Sequence, residues 1–269
     1  MRMTGKVFVV TGAGNGIGRE VTLELLRRGA RVAAVDRSDE GLMGTAALVT
    51  ESTSHALSLH PVDITSRSQV AGLPDTVRAR HGQVDGLLNI AGVIQPFVPI
   101  LELDREAIDR VMAINFDGTV SMVKAFLPLL LQRPEAALVN VSSMGALVPV
   151  PGQGAYGASK AAVALLTQTL FAELQDTPVA VTLVYPGAVG TNIAANSGVS
   201  FELPAGMEAP SMPTTAAAEA GRLIVKAVED GRPRLLIGRD ARMLDRMSRL
   251  MPTRAITMVA KKMKDLIGG

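Results

Sequence analysis

Short apolar runs alternate with amphipathic stretches along most of the chain. Val7–Val10, Arg31–Val35, Ala56–Leu59, Val84–Leu88, Ala137–Val141, Val179–Val184 and Arg234–Ile237 are brief and rich in apolar, often β-branched residues. Bounded runs of this length read as strands buried on both faces. Arg19–Arg28, Ser66–Arg80, Asp104–Leu131, Tyr156–Leu174 and Ala216–Glu229 instead show helical spacing. In the first of these Val21, Leu25 and Leu26 share a face, and Gly29 suits the C-cap. Leu73-Pro74 predicts an irregularity in the second. Strands alternating with helices predict parallel pairing and right-handed crossovers. The expected fold is α/β: one Rossmann-like, doubly wound parallel sheet of about seven strands, spanning residues 1–238.

Two segments depart from the alternation. Between Thr191 and Thr215 regularity is lost, and Pro204, Pro210 and Pro213 lie among small residues and Met207 and Met212. A loop this long predicts either a lid over a substrate or a disordered insert. Residues 239–269 form a basic, amphipathic helical tail. Met243, Leu244, Met247, Leu250 and Met251 fall on one face, with Arg242, Arg246 and Arg249 on another, until Pro252 ends the pattern. Ile256, Val259, Met263 and Ile267 form a second stripe.

Composition narrows the chemistry. The 269 residues contain no Cys, which excludes disulfides, thiolate nucleophiles and Cys-ligated metals. His55, His60 and His81 lack ligand spacing, so no metal is expected, and they read as surface or loop residues. The formal charge of +2 hides an asymmetry, since residues 231–269 hold ten Lys or Arg against three Asp or Glu. The mildly acidic body and only 3% aromatic residues argue against nucleic acid as a partner. A cationic tail with a Met-rich face predicts packing on the core. Peripheral contact with an anionic membrane and cover for a neighbouring subunit's site are the alternatives. No apolar run is long enough to span a bilayer, and the first residues lead straight into Val7, so a cytoplasmic location is expected.

Candidate chemistry gathers at the predicted strand ends. Val7–Val10 runs into Thr11-Gly12-Ala13-Gly14-Asn15-Gly16-Ile17-Gly18, directly ahead of a helix. Glycines in that context let backbone approach a pyrophosphate, and the helix N-terminus favours its charge. Asp36 ends the second run, twenty residues past Gly16. A carboxylate there accepts both ribose hydroxyls of an adenosine and repels a 2′-phosphate, favouring NAD over NADP. Arg37 is the counter-signal, because a guanidinium could bind that phosphate. Asn15 is uncharged and gives the turn no second cation. Ser142-Ser143 follows Ala137–Val141, while Tyr156 and Lys160, four apart, share one helical face. A hydroxyl, a phenol and an ammonium together can move a proton to or from an oxygen. The Lys160 charge should lower the phenol pKa from its usual value of about 10.

From about Lys6 to Gly238 these residues resemble the short-chain dehydrogenase/reductase family. Gly12, Gly16 and Gly18 match its cofactor turn, and Asp63 matches its adenine-contacting acid. Asn89, Ala91 and Gly92 match its Asn-Asn-Ala-Gly element, with Ile90 in place of the second Asn. Pro186-Gly187 and Thr191 match the segment that holds the nicotinamide carboxamide. Asn115, Ser143, Tyr156 and Lys160 match its catalytic tetrad, with Ser143 preferred to Ser142 because it lies thirteen residues before Tyr156. The resemblance implies hydride exchange between a nicotinamide and an alcohol or carbonyl carbon. It makes Tyr156 the general acid/base and lets Lys160 reach the nicotinamide ribose. It also implies that Ser143 holds the substrate oxygen and that Asn115 holds a water linking Lys160 to solvent. Ile17, Ile64 and Val189 complete the expected cofactor contacts. The nearly all-round apolar stretch Ala161–Leu174 predicts a homodimer or homotetramer, assemblies common in this family.

The leading expectation is an NAD-dependent dehydrogenase or reductase for a mostly apolar secondary alcohol or ketone, the apolar preference resting on the segment after Thr191. The rival is an NADP-dependent 3-ketoacyl reductase using acyl carrier protein or coenzyme A. A dinucleotide-sensing protein without turnover is the reading from another class. It is disfavoured because all four tetrad residues are present.

Overall fold

A computed structural model describes residues 1–199 and 214–267, with side chains described through residue 263. Seven parallel strands form one sheet: β1 (Val7–Thr11), β2 (Arg31–Asp36), β3 (Leu57–Pro61), β4 (Gly86–Asn89), β5 (Ala136–Val141), β6 (Val179–Pro186) and β7 (Arg234–Ile237). Their order is β3-β2-β1-β4-β5-β6-β7. The chain winds outward from β1 to β3 and then returns to β4 on the other side of β1. That reversal opens a crevice at the carboxyl ends of β1 and β4. Every residue of β1, β4 and β5 is buried, as their apolar runs require when helices cover both faces.

The covering helices are α1 (Gly16–Arg27), α2 (Asp39–Ala46), α3 (Arg67–His81), α4 (Arg105–Met112), α5 (Gly118–Leu130), α6 (Gly154–Glu173) and α7 (Ala217–Glu229). On one face Val21 and Leu25 of α1, Leu42 of α2 and Ile224 of α7 pack on Val10, Val32 and Val184. On the other, Val77 of α3, Phe126 of α5 and Leu170 of α6 pack on Val9, Leu87 and Leu138. Burying each such side chain contributes about 1.5–3 kcal/mol.

Several local expectations change. The stretch Asp104–Leu131 is mostly helical as expected, with a π-turn at Ala113–Asp117 between α4 and α5. Pro74 sits inside an unbroken α3. His60 and His81 are buried, unlike the exposed His55, because Ser58 Oγ lies 2.8 Å from His60 Nε2 and 2.7 Å from His81 Nε2. The shared hydroxyl gives one nitrogen of each ring a hydrogen-bond partner away from water.

The tail forms α8 (Arg239–Leu250) and α9 (Pro252–Ile267), and Pro252 opens α9 rather than merely ending α8. Its buried seam is Ala241, Leu244 and Ala255, with Met247 and Val259 packed against it, so the Met-rich face is buried only in part. Small alanines let the helices approach closely, while Leu250 stays 79% exposed. Asp245, also buried, pairs with Arg234 and Arg249, so Arg249 is not simply solvated. The expected lid lies largely at residues 200–213, outside the described residues. What precedes it is a single helical turn at Ile193–Asn196.

Candidate active site

A single cavity of about 1410 Å³ occupies the carboxyl edge of the sheet. Its first section is the glycine turn. Gly12 has φ +71°, and a Cβ there would lie 2.9 Å from the Ala91 backbone, so only glycine lets β1 and β4 close this tightly. Thr11 Oγ1 reinforces the junction by accepting from the N–H groups of Ile90 and Ala91 at 3.0 and 3.2 Å. Gly16 faces Thr191 across the cleft, where a Cβ would meet the Thr191 side chain at 3.4 Å. Asn15 caps α1 through Gly16 N–H at 2.6 Å, and its Nδ2 donates to Asn196 Oδ1 at 3.3 Å. The turn is thereby tied to the base of the segment after Thr191.

The next section is built around Asp36. Gly14 N–H donates to Asp36 Oδ2 at 2.9 Å and Ser38 N–H to Oδ1 at 3.0 Å. Each oxygen keeps a further lone pair for a hydroxyl. Arg37 lines the cavity and is exposed. Arg19, which sequence reasoning did not single out, donates to the Gly14 carbonyl and to Thr45 Oγ1, so its guanidinium is already engaged. Asp63 lines the cavity beside Ile64, but its Oδ1 also accepts from Thr65 N–H at 2.9 Å, the bond of a turn residue.

The third section joins β5, the turn after it and the first turns of α6. The hydroxyls of Ser143 and Tyr156 are hydrogen-bonded, and Ser143 Oγ also accepts from Gly145 N–H at 3.1 Å. Ser142 faces elsewhere and donates to the Lys160 carbonyl at 2.7 Å. Lys160 is 3% exposed, and its ammonium donates to the Val141 carbonyl at 3.0 Å. Burial pushes its pKa down to about 8. The Tyr156 phenol is pushed upward by burial, partly offset by the Ser143 hydrogen bond. This corrects the expectation that Lys160 lowers it. Burial costs a phenolate more than these neighbours return, and the ammonium is turned to the Val141 carbonyl.

Not every expected residue reaches the cavity. Gly12, Asn15, Gly16, Ile17, Gly18, Ala91, Gly92, Pro186, Gly187, Val189 and Thr191 line it with the residues already placed. Asn89 and Asn115 are buried behind the wall. Asn89 Nδ2 donates to Asn140 Oδ1 at 2.9 Å, while its own Oδ1 is buried without a partner among the described residues. Asn115 sits in the π-turn. Its amide accepts from Val93 N–H at 2.9 Å and donates to the Val93 carbonyl at 3.0 Å and to Ser159 Oγ at 2.9 Å. A Cβ on Gly92 would lie 2.9 Å from Lys160 Nζ and 3.2 Å from Asn115 Oδ1, so the three converge.

Sequence reasoning missed the amide pair that positions Tyr156. Gln95 Oε1 accepts from Tyr156 N–H at 2.9 Å, and Gln153 Nε2 donates to the Gln95 carbonyl at 2.9 Å. Both glutamines are buried. It also missed Asp240 of α8, which accepts from Ala188 N–H at 2.6 Å and so fixes the segment after Gly187. Gln153 stands three residues before Tyr156, the one sequence signal available for this pair.

Residues 6–199 match the family model of the short chain dehydrogenases. The chain belongs to that family. This short-chain dehydrogenase is an NAD(P)-dependent oxidoreductase. SadH of Mycobacterium tuberculosis, named as an oxidoreductase, is 32% identical to it over 95% of this chain and 94% of its own length. A solved short-chain dehydrogenase/reductase from Burkholderia phymatum in complex with NAD is 26% identical, with a TM-score of 0.81. It matches over 93% of this chain and 94% of that one. A short chain dehydrogenase from Burkholderia cenocepacia in complex with NADP is 30% identical, with a TM-score of 0.80 over 96% and 99% of the two chains. These likenesses support a nicotinamide dinucleotide without choosing between NAD and NADP.

Proposed function

We propose that this dehydrogenase exchanges hydride between NAD(H) and a mostly apolar secondary alcohol or ketone, with Tyr156 as its acid and base. The carrying observation is the Ser143–Tyr156 hydroxyl pair, which shares one cavity with buried Lys160 and with the Asp36 carboxylate. The residues suit a dinucleotide. Backbone closes on the turn where a Cβ at Gly12 would collide, and Asp36 keeps acceptor capacity at the far end. A bound nicotinamide would supply or accept the hydride and, when oxidised, add positive charge beside Tyr156.

The chain's own groups handle the proton. In reduction the Tyr156 phenol gives its proton to the substrate oxygen, and Ser143 steadies that oxygen by hydrogen bonding. In oxidation the phenol must lose its proton first, which its raised pKa opposes. Lys160 lies in the same cavity with its ammonium on the Val141 carbonyl, and Gln95 holds the first turn of α6 in register. Asn115 fixes Val93 and Ser159 around Lys160. Any link to a water would use its remaining oxygen lone pair or main chain.

The preference for NAD rests on Asp36 and on the engagement of Arg19 elsewhere. Fluorescence titration should show NADH binding at least tenfold tighter than NADPH. Tyr156→Phe should lower turnover of ketones by about 10²–10⁴-fold, the usual worth of acid/base catalysis, with NADH affinity unchanged. Tighter NADPH binding would overturn the Asp36 argument and favour the ketoacyl-type rival. Full turnover by the variant would remove Tyr156 from the chemistry.

The proposal includes self-association through α6, whose Leu165 and Phe171 are 67% and 42% exposed. It also places the protein in the cytoplasm. Among the described residues no helix is long and apolar enough to cross a membrane. Surface contact of the tail with a bilayer would use Leu250, Met251 and Ile256, the apolar side chains that the fold leaves outside.

A further inference from the structure

We propose that α8 and α9 form the outer wall of the substrate pocket and that the substrate carries a long unbranched aliphatic chain beside its reacting carbonyl or carbinol carbon. The inference rests on the oxidoreduction proposed above and names its substrate class. The two helices lie beyond residue 199, where the family match ends. They nevertheless line the same cavity as Ser143 and Tyr156, through Met243, Leu244, Met258, Val259 and Met263. The polar side chains they add are Asp240, already bonded to Ala188, and Lys262, which is exposed.

The wall begins immediately after the reacting hydroxyls. Met144, Leu147 and Val148 follow Ser143 and pack in one apolar cluster with Leu244, Ala255 and Val259. A substrate oxygen held at Ser143 therefore places its substituent against α8 and α9. The space is large. The cavity of about 1410 Å³ runs from Asp36 and the glycine turn past Tyr156 to Met258 and Met263.

The surface chemistry selects the occupant. Met243 and Met258 remain 48% and 37% exposed although they face this cavity, so the fold leaves apolar area there for something else to cover. Methionine is unbranched, polarisable and adaptable, which suits a flexible chain better than a rigid polar ring. In reduction, hydride passes from the reduced nicotinamide to the carbonyl carbon and the Tyr156 proton passes to the oxygen. The C=O becomes CH–OH, the cofactor is oxidised, and the aliphatic chain is unchanged.

The test compares 2-butanone with 2-decanone on the full-length protein. Affinity is read by calorimetry in the presence of NAD, where a ketone cannot turn over, and kcat/KM is read with NADH. The wild type should bind 2-decanone about 100-fold more tightly, below the roughly 10³-fold that complete burial of six further methylenes would give. Met258→Asp should cut that ratio about tenfold. Leu250→Asp, on the same helices but outside the cavity, should leave the ratio unchanged. A wild-type ratio near one, or a ratio indifferent to Met258→Asp, overturns the proposal. If neither ketone turns over with NADH, the proposed reaction fails, and the calorimetric ratio still decides whether the wall binds a chain.

Discussion

The two ends of one sheet hold buried charge in opposite ways. At the amino end, Asp85 precedes β4 and is fully buried. Its Oδ2 accepts from Val7 N–H at 2.9 Å and Gln83 Nε2 at 2.6 Å. Its Oδ1 accepts from Arg133 Nε at 2.9 Å and lies 3.6 Å from Lys6 Nζ. At the carboxyl end, Lys160 is equally hidden, yet among the described residues its ammonium bonds only a carbonyl of β5, and burial sets its pKa at about 8. A carboxylate met by donors on both oxygens fastens structure. An ammonium left short of an anionic partner keeps interaction energy in reserve for what binds beside it.

The contrast is open to attack first at Asp85. Asp85→Ala removes the acceptor from the Val7 amide and the Arg133 guanidinium together, and should cost about 3–5 kcal/mol in urea unfolding. Cofactor affinity of the folded fraction should stay within about twofold, because no residue of this cluster lines the cavity. An unshifted urea midpoint would mean that the amino end is no more a fastener than the site is. The neutral His pair gives the next largest effect. Burial, with Arg31 and Arg80 nearby, holds the His81 pKa down to about 4, against about 6.5 unfolded. Between those values the unfolded chain binds the proton and the folded chain does not. Stability is therefore lost as pH falls from about 6.5 through 4, by at most about 3 kcal/mol from this group. His81→Gln lacks that loss, so the stability gap between wild type and variant should narrow from pH 7.5 to pH 4.5. A constant gap would show that His81 does not titrate in this way.

What the chain disclosed in advance follows the same division. The strands of the sheet were readable because Val7–Val10 or Ala137–Val141 must be buried whatever surrounds them. The glycine turn, Asp36, Ser143 and Tyr156 could be singled out because each follows a readable strand, and they line one cavity. Asp85 was not, since a lone carboxylate ahead of an apolar run looks like any loop residue until Arg133, 48 positions away, is folded onto it. Gln95 escaped notice for the same reason, its partner at Tyr156 lying 61 residues on and being a backbone N–H. The tail pattern was visible, and Leu244, Met247 and Val259 of its stripes do pack inward, but Ala241 and Ala255 were not singled out because they carry little hydropathy and matter through fit. The sign of the Tyr156 shift was missed because adjacency to Lys160 was legible and the burial that outweighs it was not.

The smallest effect probes the other half of the contrast. Lys160→Met replaces a buried ammonium by an apolar side chain of similar length. The pKa of Lys160 falls from about 10.4 unfolded to about 8 folded, so the folded state disfavours its charge. Below pH 8 both states are protonated and that penalty, about 1–3 kcal/mol, is fully present. As pH rises from 8 towards 10 the folded lysine releases its proton before the unfolded one does, and the penalty fades. The methionine variant should therefore be more stable than wild type by about 1–2 kcal/mol at pH 7, with the advantage shrinking by pH 9.5. Turnover should fall at least a hundredfold, an instance of a site held at the expense of stability. Urea unfolding of both proteins at the two pH values measures the difference directly. A methionine variant less stable than wild type at pH 7 would make Lys160 a fastener like Asp85, and the distinction between the two ends of the sheet would not survive.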